Sequence, residues 1–267
     1  MLPVRIWASR PTAGTLEGVD LFGVVNASPD SLHRDSVVTT PEEAVARARS
    51  LLADGAVALD LGGQGTTYVA EEVAEDEEWS RVGPLVPALA GLGVPLSIDT
   101  YRPSVARRAL EAGATWLNAA DGLQGDELAR VAADAGCPVV LPFLNGPSPH
   151  ALRPVADADP MGVLLDWFDA ALRRLDAFGL RRRCVLDPGT GFAPHDLPWE
   201  ERFVFQRRIY SDLDRLRTFG LPLYIALPWR DTPQHAELLD IVLAADPEYG
   251  RAHEPARILA AAATKRR

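Results

Sequence analysis

The chain has 267 residues, of which 47% are hydrophobic and 24% charged, enough apolar material for an ordinary buried core and too much for a disordered segment. Its formal net charge of −10 argues against broad nucleic-acid binding, which needs clustered cations, yet a few local arginines could still hold a small anion. No apolar run reaches bilayer length, and the only cysteines, Cys137 and Cys184, lack CxxC spacing, so a membrane span, a disulfide framework and a zinc ribbon are not expected.

The N-terminal MLPVRIWASRP carries no leader pattern, so the cytoplasm is the expected compartment. Short apolar runs then alternate with helical patterns along the chain. The runs lie at Leu21–Asn26, Val57–Gly62, Leu96–Asp99, Thr115–Asn118, Val139–Leu144, Cys184–Asp187, Leu223–Leu227 and around Arg251–His253. Most do not alternate with polar residues, as expected of parallel strands covered on both faces.

Between them the spacing predicts helices at Pro41–Ala53, Glu77–Ala90, Pro103–Ala112, Asp126–Ala135, Met161–Phe178, Glu200–Phe219, Pro233–Ala245 and Pro255–Ala263. The first is the best marked: Thr40 can cap it, Pro41 suits its first position, and Glu42 and Glu43 face its positive end. Three returns to strand read alike, GLGVPLSI, AGCPVVL and GLPLYIA, each a glycine stop followed by proline at the strand start. Eight strand–helix units without a Gly- or Ser-rich linker predict one (β/α)8 barrel, a TIM barrel, spanning residues 1–267 as a single domain. An open doubly wound sheet is the alternative.

Such barrels bind ligands where strands hand over to the following loops. Here those handovers carry Asn26 with Ser28-Pro29-Asp30-Ser31, Asp60 with Gly62-Gly63-Gln64-Gly65-Thr66-Thr67, Asp99-Thr100, Asn118, Asp187-Pro188-Gly189-Thr190, and Arg251 with His253. Any one alone reads as a turn or cap residue. Together, Asp99, Asn118 and Asp187 from three strands would point at one volume. Their carboxylates and amide suit an aminopyrimidine edge, while Arg251 and His253 suit a phosphate or pyrophosphate. Asn26 offers a hard oxygen for Mg²⁺ beside that anion.

These residues carry a specific resemblance, over nearly the whole chain, to the dihydropteroate synthase and wider pterin-binding barrel family. LFGVVNASPDSL resembles the first-strand motif, GAVALDLGG the second, LSIDTYRPSVARRALEAGA the third, WLNAADGL the fourth, CVLDPGTGF the sixth and GRAHE the eighth. The resemblance implies a transferase that condenses dihydropterin pyrophosphate with an amine and releases pyrophosphate with the help of Mg²⁺. It implies that Asp99, Asn118 and Asp187 hold the pterin, that Asn26, Arg251 and His253 hold the pyrophosphate and its metal, and that Thr66 and Arg230 contact substrate. Asp99, Arg251 and His253 would be the catalytic group.

The chain also departs from that pattern. Where the family reads Glu-Ser-Thr-Arg-Pro, this chain has Gln64-Gly65-Thr66-Thr67-Tyr68, so Thr67 stands in place of an arginine. Leu32 replaces an aromatic residue, Ala193-Pro194 a glycine-lysine, and Pro228-Trp229-Arg230 a Ser-Arg-Lys, which leaves Arg230 to replace a pterin-contacting lysine. Ala119 replaces the Asp that usually follows Asn118. The pterin and anion residues are kept while those framing para-aminobenzoate are replaced, which predicts a divergent paralogue with a changed second substrate. A non-catalytic or regulatory pterin-binding protein and a folate-dependent methyltransferase are the alternatives. His33, His150, His195 and His235 lack metal-ligand spacing and read as loop or surface residues, and Glu71–Glu78 reads as a solvated loop. Trp167, Phe168 and Leu172 read as core, and an exposed share of them would suit a homodimer face.

Overall fold

A computed structural model describes residues 19–29, 37–65, 70–194 and 196–265. Its strands are β1 (Asp20–Asn26), β2 (Ala58–Gly62), β3 (Leu96–Thr100), β4 (Trp116–Ala119), β5 (Val139–Pro142), β6 (Cys184–Asp187), β7 (Tyr224–Ala226) and β8 (Tyr249–Ala252). All neighbours pair in parallel, in the order β6-β5-β4-β3-β2-β1-β8-β7. One parallel bridge, Leu186↔Leu223, joins β6 to β7 and closes the barrel.

Helices follow the strands and cover the outside: α1 (Pro41–Ala53), α2 (Glu75–Val82), α3 (Leu85–Ala90), α4 (Pro103–Glu111), α5 (Asp126–Ala135), α6 (Pro160–Asp176), α7 (Trp199–Ser211), α8 (Pro233–Ala244) and α9 (Pro255–Lys265). The predicted start of α1 is a full capping box: Thr40 Oγ1 accepts from the Glu43 amide, and Glu43 reaches back to the Thr40 amide. Glycine 55, at φ 98°, then turns the chain into the conformation that a side chain opposes.

Two predicted helices break. Glu77–Ala90 is two pieces, α2 and α3, because Pro84 has no amide proton and its ring opposes a continuing helix. Glu200–Phe219 ends as an α-helix at Ser211 and continues as a 3₁₀ stretch, Leu213–Phe219. The last strand begins at Tyr249, earlier than the apolar run around Arg251 indicated, and His253 lies just beyond its end. Phe168 and Leu172 are fully buried, so neither offers an exposed face, and Trp167 packs edge-on against Phe143.

The barrel interior is layered by the two-residue period of its strands. Phe22, Ala58, Trp116, Val140, Val185, Tyr224 and Tyr249 form a closed apolar floor. In it Phe22 meets Trp116, Tyr224 and Tyr249 edge-on, with centroids 5.2, 5.3 and 6.0 Å apart. Two residues further along those strands stand Asp60, Asn118, Asp187, Ala226 and Arg251. The floor therefore sets the height at which the polar residues appear.

Candidate functional site

Arg251 holds the polar layer together. Its Nε donates to Asp60 Oδ2 at 2.5 Å and its Nη2 to Asp99 Oδ2 at 3.2 Å. Asn118 Nδ2 donates to the same Asp60 oxygen at 3.4 Å. Asp60 is fully buried, and Asn118 and Asp187 nearly so. The layer thus draws on β2, β3, β4, β6 and β8 at their C-terminal ends.

Burial, followed by the charge of Asp60, pushes Asp99 up to about 7 against the opposing pull of Arg251. Burial likewise pushes Asp187 up to about 7, although the Gly189 amide donates to its Oδ1 at 2.8 Å and favours the ionised form. Burial alone would pull Arg251 down, but Asp60 and Asp99 more than offset it and hold the guanidinium above its ordinary value. The site is therefore a fixed cation among carboxylates of which two are poised to titrate near neutrality.

Above this layer opens a cleft of about 500 Å³. Asn26, Asp99, Arg251 and His253 line it, together with Trp199, Arg202, Trp229, Arg230 and His235. Asn118 and Asp187 are not on that wall; they lie buried in the same interior layer, Asn118 against Asp60. Thr66, and with it Leu32, Thr67, Tyr68, His33 and His195, lies outside the described residues. His150 sits edge-on to Tyr101, with centroids 6.1 Å apart.

Asp60 and Gln64 stand among the strand-end residues of the sequence but carried no role there. Asp60 occupies an inward position between Ala58 and Gly62 and accepts from Arg251. Gln64 gives a different lesson. Its Nε2 donates to the carbonyls of Gly65 (2.8 Å) and Glu71 (2.9 Å), and its Oε1 accepts from the Val73 amide (2.9 Å), so it clasps the loop after β2. Arg102 adds bonds to the Val73 carbonyl and to Glu78. This corrects the reading of Glu71–Glu78 as a solvated loop: Glu75 to Glu78 form the first turn of α2, and Glu78 is fully buried against Arg102.

On the opposite wall, Tyr210 and Thr190 share a hydroxyl hydrogen bond of 2.9 Å, and Gln206 donates to the Thr190 carbonyl at 2.7 Å. Nothing in helical spacing separates such a tyrosine from a core residue. His235, expected on the surface, stacks on Trp199 with centroids 4.4 Å apart at the cleft rim. Burial and the nearby Arg230, Arg202 and Arg257 pull it down to about 4, so it is neutral at pH 7. Among the described residues no three His, Cys, Asp or Glu side chains gather as a metal cage.

Residues 22–227 match the family model described as pterin binding enzyme. The dihydropteroate synthase of Synechocystis sp. is 33% identical over 209 residues, covering 77% of this chain and 70% of the relative. That of Bacillus subtilis is 37% identical over 175 residues, covering 65% and 59%. A probable bifunctional folylpolyglutamate synthase/dihydropteroate synthase of Haloferax volcanii is 33% identical over 177 residues, which span 66% of this chain and only 21% of that longer protein. Among solved structures, the Yersinia pestis dihydropteroate synthase with a sulfonamide drug complex superposes with a TM-score of 0.81 at 26% identity, covering 94% of this chain and 95% of that one. The Xanthomonas albilineans dihydropteroate synthase in complex with 7,8-dihydropteroate gives 0.76 at 26% identity and 94% of both chains. An eight-stranded barrel, a polar layer at its strand ends and these matches agree: the chain belongs to the pterin-binding enzyme family, as a dihydropteroate synthase-like transferase.

Proposed function

We propose that this chain condenses dihydropterin pyrophosphate with an amine and releases pyrophosphate. The observation that carries the reading is the polar layer itself, with acceptors from Asp99 and Asp187, an amide from Asn118 and a cation at Arg251, above an apolar floor that closes the barrel from below. Asp99 on the cleft wall, with Asn118 and Asp187 buried in the layer beneath it, would meet the hydrogen-bonding edge of the pterin. Arg251 and His253, with Asn26 on the neighbouring strand, would receive the pyrophosphate; Arg230, which lines the cleft, and Thr66 would contact substrate.

In the reaction the bond between the pterin methylene carbon and the pyrophosphate oxygen breaks, and its electron pair leaves with pyrophosphate. The amine lone pair forms the new carbon–nitrogen bond, and the nitrogen sheds a proton. Asp99 and Asp187, when ionised, stabilise positive charge growing on the pterin; Arg251 and His253 stabilise negative charge growing on the leaving group. Mg²⁺ fits this arrangement: Asn26 supplies a hard oxygen at the cleft beside Arg251 and His253, as suits an ion that keeps its waters and arrives with the anion. Bound there by Asn26, it would neutralise charge on the pyrophosphate.

The cytoplasm is the compartment that suits two buried, free thiols, Cys137 and Cys184. Among the described residues no helix is long and apolar enough to cross a membrane. The deciding experiment is calorimetric titration with dihydropterin pyrophosphate and Mg²⁺, followed by assay of pyrophosphate release with a panel of amines. Saturable binding with amine-dependent release is expected. Absence of binding would remove the reading.

A further inference from the structure

Two arginines outside the polar layer hold the loops that line the cleft. Arg257, in the first turn of α9, donates from Nη1 to the Trp229 carbonyl and from Nη2 to the Arg230 carbonyl at 2.9 Å, with Asp231 Oδ1 at 3.4 Å. On the other side of β8, Arg47 of α1 donates from Nη2 to the His253 carbonyl at 2.7 Å. Neither arginine lines the cleft, whereas Trp229, Arg230 and His253 all do. The two loops also touch, the Trp229 and His253 rings having centroids 5.8 Å apart.

We propose that Arg257 and Arg47 are positioning residues, which fix through main-chain carbonyls the two loops that present Arg230 and His253 to the cleft. The inference rests on the reading above, in which Arg230 meets the pterin half of the substrate and His253 the pyrophosphate half. Loops after barrel strands have no ladder to hold their carbonyls, so their course is set by whatever donors reach them. A guanidinium suits this because its planar fork can serve two adjacent carbonyls from one side chain. At Arg257 it does so for consecutive residues. An ammonium keeps the charge but cannot span both acceptors in that plane, which separates positioning from mere pairing of Arg257 with Asp231 or Glu254.

The test compares wild type with Arg257→Lys, which cannot span two carbonyls, and Arg47→Met, which cannot donate to one. Calorimetry would measure dihydropterin pyrophosphate and inorganic pyrophosphate, each with Mg²⁺, and ligand-free crystals of both variants would show the loops. Arg257→Lys should weaken dihydropterin pyrophosphate by about tenfold while inorganic pyrophosphate stays within about twofold. Arg47→Met, which removes the single donor to the His253 carbonyl, should weaken both by about tenfold, since His253 serves the half they share. The crystals should show residues 229–231 and 253 displaced by about 1 Å, a shift large enough to spoil an aligned contact. Arg257→Gln and Arg47→Leu serve if either variant misfolds.

Loops that keep their place with unchanged affinities would overturn the inference, as would loops that shift with no change in affinity. If wild type binds neither ligand, the proposed reaction fails, and the crystals alone decide whether the arginines hold the loops.

Discussion

Arg251 on β8 reaches across the barrel to Asp60 on β2, with Nε and Oδ2 2.5 Å apart, and from the same fork binds Asp99 on β3. Three strands are tied at one guanidinium, which also faces the cleft. Arg251→Ala would leave a fully buried Asp60 without its counter-charge, at a cost of about 3–5 kcal/mol. Urea unfolding should show that loss, and pyrophosphate titration should show no binding. Unchanged stability in the variant would mean that the layer does not depend on its cation.

Asp99 and Asp187 give the ligand-free protein an unusual pH profile. Both folded-state values, about 7, lie above the ordinary carboxylate value. Between pH 4 and pH 7 the folded state therefore binds more protons than the unfolded chain, and stability falls as pH rises through that window. The fall should amount to a few kcal/mol, partly masked by groups that titrate elsewhere. Asp187→Asn should flatten the profile in chemical unfolding measured from pH 5 to pH 8. Pterin N–H donors favour the ionised carboxylates, so binding near pH 6 should release protons, detectable by calorimetry in buffers of different ionisation enthalpy. A stability that rises across this range would contradict the assignment.

Gln64 is an amide for a geometrical reason, since its nitrogen faces two carbonyl oxygens and its oxygen faces an amide. Gln64→Glu keeps the shape and replaces the donor with a second acceptor, opposing the carbonyls of Gly65 and Glu71. It should cost about 1–3 kcal/mol at this clasp and raise the KM of the amine more than that of dihydropterin pyrophosphate. Steady-state kinetics with each substrate varied would check this, and an equal effect on both would count against a role of the clasp on the amine alone.

para-Aminobenzoate should be a poor acceptor and sulfonamides poor inhibitors. Thr67 stands where the family has an arginine, Leu32 where it has an aromatic ring, and Pro228, which lines the cleft, where it has a serine. Each charge-assisted hydrogen bond lost to a benzoate carboxylate is worth roughly 1.5–3 kcal/mol, or about tenfold or more in affinity. Efficient formation of dihydropteroate in steady-state assays would show that another cation, Arg230 or Arg202, has taken over the carboxylate.

The barrel was legible because its signals are local and repeat. Glycine stops, proline at strand starts and the Thr40–Glu43 box each act within a few residues and need no distant partner. Asp99, Asn118, Asp187 and Arg251 were legible because a strand end fixes which way a residue faces. Glu78 was misread for the opposite reason, since it is buried only because Arg102, 24 residues away, meets it. The stacking of half-buried His235 on Trp199 is equally a contact between distant residues. The pairing of Arg257 with the 229–231 carbonyls likewise depends on where α9 returns after β8, which no spacing along the chain expresses.

The joint between β6 and β7 gives the barrel a direction of give. Elsewhere the ladders run on, as from Phe22↔Ala58 to Asn26↔Gly62 between β1 and β2, whereas here Leu186↔Leu223 stands alone. Just above that joint, Gly191 lies so close to Ala226 that an added Cβ would come within 3.2 Å of the Ala226 side chain. Thr190, Gly191 and Ala226 all border the cleft. A bulkier amine would meet least resistance at this thin wall, away from the β1–β2 ladder and from Asn26, Arg251 and His253, the residues proposed for the anion. Breadth toward new acceptors and rigidity toward the anion can coexist in one small barrel because they belong to different sides of it.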